Sequence, residues 1–379
     1  MKRVLGLVLA FSLAFGGLSV SASVRGEAEV AGRNLAEVIE LIMNSFVGDP
    51  VTVEQLFEAA MRGMTEELDE YSVYFTAAEW SQFSNNISGR VVGIGVTMRM
   101  RDDGRIVVDS VIANSPAERA GILAGDVFAS VDGVSVAGLS TDQLRDRIVD
   151  SASDWVTVGV MRGNTLLSFV MQKGEVNFST VHVNRLQDID EAEGLANLQH
   201  FRYMQITSVG RNTANDVRLA LSIMQQEGVR GIVLDLRGNS GGYLDVIVEI
   251  ANMLVPQGTI LQTVNAAGVR RVFSSNLQNV PFRDIVILVD ERTASAAEVL
   301  ASALQDSGIA TVIGVQTYGK GLVQSIYTMG TGGALKITTE EYFRRSGATI
   351  NGIGVIPQII VDDEDASAVL RRGLEHLLR

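Results

Sequence analysis

The chain has 379 residues, a formal net charge of -13, 46% apolar residues and 20% charged residues. That length calls for two or three cores, the apolar content excludes a disordered chain, and no basic stripe offers the clustered cations that nucleic-acid phosphates require. The lack of cysteine removes disulfides, a thiol nucleophile, a Cys-based zinc site and a lipid-modified N-terminal Cys; the three histidines, His182, His200 and His376, have no metal-ligand spacing.

Residues 1–22 begin with Lys2 and Arg3, continue through an apolar run from Val4 to Leu18 and end in small residues at Val20 and Ala22. This is the pattern of a secretory signal, so the protein is expected to be exported and periplasmic. The alternative is an uncleaved segment that leaves it membrane-associated, for which the apolar run is short.

Residues 23–87 form a helical N-terminal segment, since Leu35, Val38, Ile39 and Ile42, then Leu56, Ala60, Met64 and Leu68, recur at helical spacing around a VGDPV break. Residues 88–174 change to short strands, RVVGIGVTM, RIVVDSVI, DVFASVDGVSV, WVTVGVMRG and LLSFVMQ. Two helices interrupt them, SPAERAG and STDQLRDRIV, and the second has Ser140 and Gln143 at capping-box spacing. Residues 175–379 alternate apolar strands (FRYMQITS, GIVLDLR, DIVILVD, ATVIGV) with helices, the signature of an α/β sheet, and the tail from Ala334 to Val361 returns to strands.

RGNSGG, residues 237–242, resembles the nucleophile loop of trypsin-like proteases and makes Ser240 a first candidate. Its setting argues otherwise. A trypsin-like serine needs an earlier histidine and aspartate on two β-barrels, whereas this loop follows the strand GIVLDLR in an α/β run, and the small mixed domain precedes it. A glycine-rich turn accounts for the same residues.

Ser295 has a better setting, where the strand Ile285 to Val289 gives way to a helix. The free N–H groups of a first helical turn can bind a developing oxyanion there. A capping box with Glu298 explains the same spacing. The base that would activate a serine is Lys320, set between Gly319 and Gly321. Its pKa must fall from about 10.4 toward about 7–8, which burial against Tyr318, Leu322 and Val323 can supply. Gln324, four positions on, shares a face with Lys320 if the segment is one extended strand, and could hold the amine.

Together these segments resemble the carboxyl-terminal processing peptidases, also called tail-specific proteases. Thr293, Ala294, Ser295, Ala296 and Glu298 match T-A-S-A-x-E; Thr317, Tyr318, Gly319, Lys320 and Gly321 match T-[FY]-G-K-G; Gln324 follows at the family's interval. LDEYSVYF (Leu68 to Phe75) is similar to the end of the family's helical lead-in, GIGV (Gly93 to Val96) with SPAERAGILAGDVFASVDG to its embedded PDZ domain, GIVLDLRGNSGG to its D-L-R-x-N-x-G-G segment, and GIGVIP (Gly352 to Pro357) to its closing motif. Ser240 stands where members often have Pro or Gly, Ala297 where many have a second serine, SASDWVTVGV lacks the usual G-x-x-G-T turn, and Gln358 replaces a common Asp.

The resemblance implies a multidomain α/β and α+β chain: a helical N-terminal segment, a PDZ-like domain and a crotonase-like α/β protease core. It implies a serine endopeptidase with a Ser295/Lys320 dyad, Gln324 orienting Lys320, and an oxyanion hole built from Ala296 and either Gly241 or Gly242. It also implies a PDZ site in which Gly93, Ile94, Gly95 and Val96 receive a C-terminal peptide as an added strand, with Leu144 and Ile148 lining the apolar pocket. The expected partners are protein or peptide substrates with apolar C-termini; an adaptor protein and self-association into a homo-oligomer stay open, and no metal or organic cofactor is implied. The rival readings are a catalytically silent PDZ scaffold and a crotonase-like acyl-CoA enzyme.

Overall fold

A computed structural model describes residues 22–88, 90–101, 103–149, 153–177, 179–361 and 366–378. The segment read as a secretory signal lies outside them up to residue 21. The chain divides into two compact units, one made of residues up to Phe83 together with Thr180–Arg379, the other of Ser84–Ser179.

The lead-in runs through α1 (Ala22–Ser45) and α2 (Val53–Glu66). α2 starts on a reciprocal capping box: Thr52 Oγ1 accepts the N–H of Gln55 at 3.1 Å and Gln55 Oε1 accepts that of Thr52 at 2.8 Å. An Asx turn follows, in which Asp69 Oδ1 accepts the N–H groups of Tyr71 (2.8 Å) and Ser72 (2.7 Å). It turns the chain into β1 (Val73–Phe75), and α3 (Ala77–Ser88) then opens on a cap at Thr76 that Glu79 closes from within.

The Ser84–Ser179 unit contains β2 (Arg90–Gly93), β3 (Val96–Met100), β4 (Ile106–Val111), α4 (Pro116–Ala120), β5 (Val127–Val131), β6 (Val134–Ser135), α5 (Thr141–Val149), β7 (Trp155–Arg162), β8 (Thr165–Gln172) and β9 (Gly174–Asn177). The main sheet has the order β3-β4-β5-β7-β8 with β6 on β5, and β2 pairs separately with β9. Its core joins Ile94, Val108, Phe128, Leu144, Ile148 and Val158. One buried carboxylate belongs to this unit's frame: Asp126, 1% exposed, receives Arg162 through two bonds of 2.7 Å and the N–H of Leu123 at 2.9 Å.

The remaining residues complete the first unit with β10 (Val181–Arg185), β11 (Phe201–Ile206), α6 (Thr213–Gln226), β12 (Gly231–Asp235), α7 (Leu244–Leu254), β13 (Gly258–Asn265), β14 (Arg270–Ser275), β15 (Asp284–Val289), α8 (Ala296–Asp306), β16 (Ala310–Gly314), β17 (Leu322–Thr328), β18 (Ala334–Arg344), β19 (Ile359–Ile360) and α9 (Ala366–Leu377). One sheet has the order β10-β11-β12-β15-β16-β19, parallel from β11 onward. GIVLD in β12 is buried throughout and IVILV in β15 likewise, because helices cover both faces and a strand so enclosed must be apolar at every position. α9 seals one face through Val369, Leu370, Leu374 and Leu377 against Val233, Val286, Leu288 and Ile313.

The second sheet is antiparallel, β1-β18-β13-β14, with β17 also on β18. β1 from the lead-in thus pairs with a strand about two-thirds of the chain away, Tyr74 opposite Leu335. The loops leaving the carboxyl ends of β12, β15 and β16 lie together, the position where open parallel sheets place their functional residues.

Candidate active site

The turn between β15 and α8 carries Ser295 with φ 56° and ψ -120°. A side chain rarely adopts positive φ, and such a residue persists only where its surroundings over-determine it. Here they do. Thr293 Oγ1 donates to the carbonyl of Leu236 at 2.9 Å, the N–H of Ala294 donates to the carbonyl of Asn239 at 2.9 Å, and the N–H of Ser295 donates to Glu298 Oε2 at 2.7 Å. Ser295 itself is 8% exposed. The backbone enters α8 immediately afterwards, and the N–H of Ala296 has no acceptor among the described residues.

The RGNSGG loop is bound to this turn. Asn239 is buried; its side-chain amide donates to the carbonyl of Ile206 at 2.8 Å and its Oδ1 accepts the N–H of Gly241 at 2.8 Å. Gly241 therefore has its N–H engaged, while that of Gly242 meets no acceptor among the described residues. Gly241 is nonetheless pressed against the serine turn, since a Cβ there would lie 2.8 Å from the carbonyl oxygen of Ala294 and 2.9 Å from Ser295 Cβ. Ser240 is exposed. Arg237 anchors the loop through Asp235, which is fully buried and also accepts the hydroxyl of Tyr203 at 2.7 Å.

Glu298 is the residue whose part the capping-box spacing conceals. Its carboxylate is buried and accepts four donors: Ser295 N–H, Thr317 Oγ1 at 2.5 Å, Gly319 N–H at 2.7 Å and Lys320 N–H at 2.9 Å. Burial pushes its pKa up, and these four bonds oppose the shift. Thr317 in turn accepts the N–H of Val355 at 2.7 Å, and the N–H of Gly352 donates to the carbonyl of Gly319, so the GIGVIP segment backs the lysine loop.

Lys320 is half-buried, with its Nζ 4.4 Å from the centre of the Tyr71 ring. Burial lowers its pKa; Glu70, Asp69 and Glu298 pull the other way. No hydrogen bond joins its amine to Ser295 or to any other described residue. Tyr318 is 54% exposed, and the aromatic face against the amine is that of Tyr71.

The expected geometry of Gln324 needs correction. Lys320 precedes β17, which begins at Leu322, so the two residues do not lie on one continuous strand. Gln324 Nε2 instead donates to Thr338 Oγ1 at 3.3 Å. Thr338 also gives its N–H to Ser72 Oγ at 3.2 Å, which ties β18 to the lead-in turn.

In the other unit, Gly93, Ile94, Gly95 and Val96 form the passage from β2 into β3, with α5 alongside. Gly95 has φ +85°, and a Cβ there would stand 2.2 Å from that of Ser115. The carbonyl of Ile94 accepts the N–H of Ala117 at 2.7 Å. Leu144 and Ile148 are buried in the core that Ile94 shares.

No group of His, Asp and Glu with metal-holding geometry occurs among the described residues. The arrangement suits acyl transfer: a serine held at a strained turn into a helix, unpaired main-chain N–H groups beside it, and a buried amine on the adjoining loop.

Residues 200–361 match Peptidase family S41 and residues 92–172 match the PDZ domain family. The chain is 29% identical to the carboxy-terminal processing protease CtpB of Bacillus subtilis, over 96% of this chain and 78% of that protein. It is 32% identical to a probable CtpA-like serine protease of Staphylococcus aureus over 88% of its own length, and spans 65% of that relative. The solved photosystem II D1 C-terminal processing protease superposes with a TM-score of 0.52 at 28% identity, covering 91% of this chain and 90% of that one. By these matches the chain is a serine-type peptidase whose residues 200–361 resemble peptidase family S41 and whose organisation resembles that of the carboxyl-terminal processing peptidases.

Proposed function

We propose that the protein is an exported endopeptidase that trims or degrades proteins selected by their C-terminal residues, with Ser295 as nucleophile and Lys320 as general base. The amine of Lys320 takes the proton of Ser295 Oγ as the oxygen attacks the peptide carbonyl. The negative charge that develops on the carbonyl oxygen falls to the N–H groups of Ala296 and Gly242, the latter favoured over Gly241 because Asn239 already holds the Gly241 N–H. Lys320 then returns its proton to the departing amine, and water releases the acyl group from Ser295. Gln324 acts on this centre indirectly, through Thr338 and the lead-in turn.

The observation that carries this reading is the shared carboxylate: Glu298 accepts the main-chain N–H of Ser295 and of Lys320 together, fixing the two loops that the chemistry needs side by side. A basic lysine also needs a low pKa, and burial moves Lys320 in that direction. Substrate selection is assigned to the Gly93–Val96 passage, where an apolar C-terminus would add as a strand beside α5, with Leu144 and Ile148 under its side chains. Export rests on the N-terminal pattern; none of the described helices is long and apolar enough to cross a membrane.

The test compares Ser295→Ala, Lys320→Ala and Ser240→Ala on an unfolded substrate with an apolar C-terminus, alongside labelling by a fluorophosphonate. Near-total loss in the first two, a partial loss in the third and labelling confined to Ser295 are expected. Activity retained by Ser295→Ala but lost in Ser240→Ala would end the reading, as would thioester hydrolysis without proteolysis.

A further inference from the structure

We propose that Tyr71 is a positioning residue for Lys320: its ring face is where the amine rests, and it stabilises the amine in the charged form.

The ring centre lies 4.4 Å from Lys320 Nζ, within the range in which an aromatic face attracts an ammonium. No carboxylate or carbonyl of the described residues accepts from that amine, so the ring is its closest specified partner. The contact is built and held. Asp69 fixes the main chain of Tyr71 and Ser72, Ser72 Oγ accepts the N–H of Thr338 in β18, and β1 continues the pairing with Val73 opposite Lys336. The hydroxyl of Tyr71 interacts with Glu70 and Tyr318, and burial first, then those two neighbours, hold its proton on well beyond the usual phenol range. The ring that faces the amine is thus the neutral phenol.

Other charges face the same amine. Asp69 and Glu70 come from the lead-in turn and Glu298 from α8, all favouring the ammonium. Lys336 on β18 is close enough for the two lysines to repel. The ring differs from these ions because its attraction acts at contact and needs the amine seated on the ring face. A seated ammonium must give up its proton before the amine can accept that of Ser295 Oγ. The ring therefore raises the proton affinity of Lys320 against the lowering by burial, and its removal should move the titration to lower pH.

The effect on turnover rests on Lys320 being the base; the effect on its titration does not, and the experiment separates them. The chain has four lysines, Lys2, Lys173, Lys320 and Lys336, so in the full chain labelled with ε-carbon-13 lysine, Lys320→Arg identifies the Lys320 resonance. Tyr71 is replaced by Phe and by mono-, di- and trifluorophenylalanine, which keep the ring's shape while weakening its negative face. The Lys320 midpoint should stay near the Tyr71 value in Tyr71→Phe and fall progressively with fluorination, by about 0.5–1 pH unit at the trifluoro ring. The acid limb of kcat/KM should move in step. A midpoint indifferent to fluorination overturns the proposal. A midpoint that moves while the acid limb stays fixed upholds the role of Tyr71 and instead removes Lys320 as the base.

Discussion

The carboxylate of Glu298 accepts the main-chain N–H of Lys320 at 2.9 Å, across 22 residues of chain. The same oxygen holds the N–H of Ser295, and the other oxygen holds Thr317 and Gly319. Every partner is a donor. Glu298→Gln must therefore turn an amide NH2 toward two of them, leaving buried donors unpaired at about 1–3 kcal/mol each. We expect kcat to fall about 10²-fold or more, because a small displacement of either loop separates the reacting groups. Stopped assays with a circular-dichroism melt will show whether the loss exceeds what unfolding explains.

Gly241 has φ +98°, and an added Cβ would strike the carbonyl of Ala294 and the nitrogen of Ala296. Gly238 also has positive φ, at +70°, but a Cβ there meets nothing within 4 Å. Gly241→Ala should lower kcat about 10²-fold by displacing the serine turn. Gly238→Ala should cost only about 1–2 kcal/mol of backbone strain and leave kcat near normal. Equal kinetic losses in both would mean that the loop's flexibility, and not its contact with Ser295, matters.

With Lys320 as the proposed base, only its neutral amine can accept a proton, so activity should rise with pH through its pKa. Burial lowers that pKa and the Glu70 carboxylate holds it up. Glu70→Gln removes an upward influence, and the acid limb of kcat/KM should move to lower pH. Glu70 is exposed, so the shift should be about half a unit at low ionic strength and should vanish near about 1 M salt. A shift to higher pH would contradict the sign argued for the site.

Asp235 is fully buried beneath the RGNSGG loop, and Arg237 supplies three of its hydrogen bonds at 2.5–3.0 Å. Arg237→Ala leaves that carboxylate with the Tyr203 hydroxyl and the N–H of residue 237. Losing one partner of a buried pair costs about 3–5 kcal/mol. Denaturant melts should show this in full, whereas Arg237→Ala combined with Asp235→Asn should recover part of it.

Sequence legibility followed the range of the physics. β12 and β15 could be read directly, because strands enclosed on both faces leave an unbroken apolar run. β13 and β14 were obscured: TILQTVN and RRVFSS are half-buried and mix Gln, Thr and Arg into the alternation. Counting residues along a strand puts Gln324 beside Lys320, but the strand begins only at Leu322, and a loop carries Lys320. Glu298 was visible as a cap because the Ser295 partner is three residues away, while its other partners, 19 to 22 residues on, leave no local trace. Tyr71 was hidden for the same reason, since nothing in a local pattern brings residue 71 to residue 320.

The pairing of Tyr74 with Leu335 has a consequence for the order in which the protein can be made. The lead-in turn that carries Tyr71 leaves the ribosome early, yet the strand it pairs with emerges only after the whole Ser84–Ser179 unit and the parallel strands up to β16. A nascent chain can pair β10 through β16 and still lack the ring that receives the Lys320 amine. Closure of the antiparallel sheet must wait until β18 is made, so an unfinished chain carries Ser295 without a finished environment for Lys320.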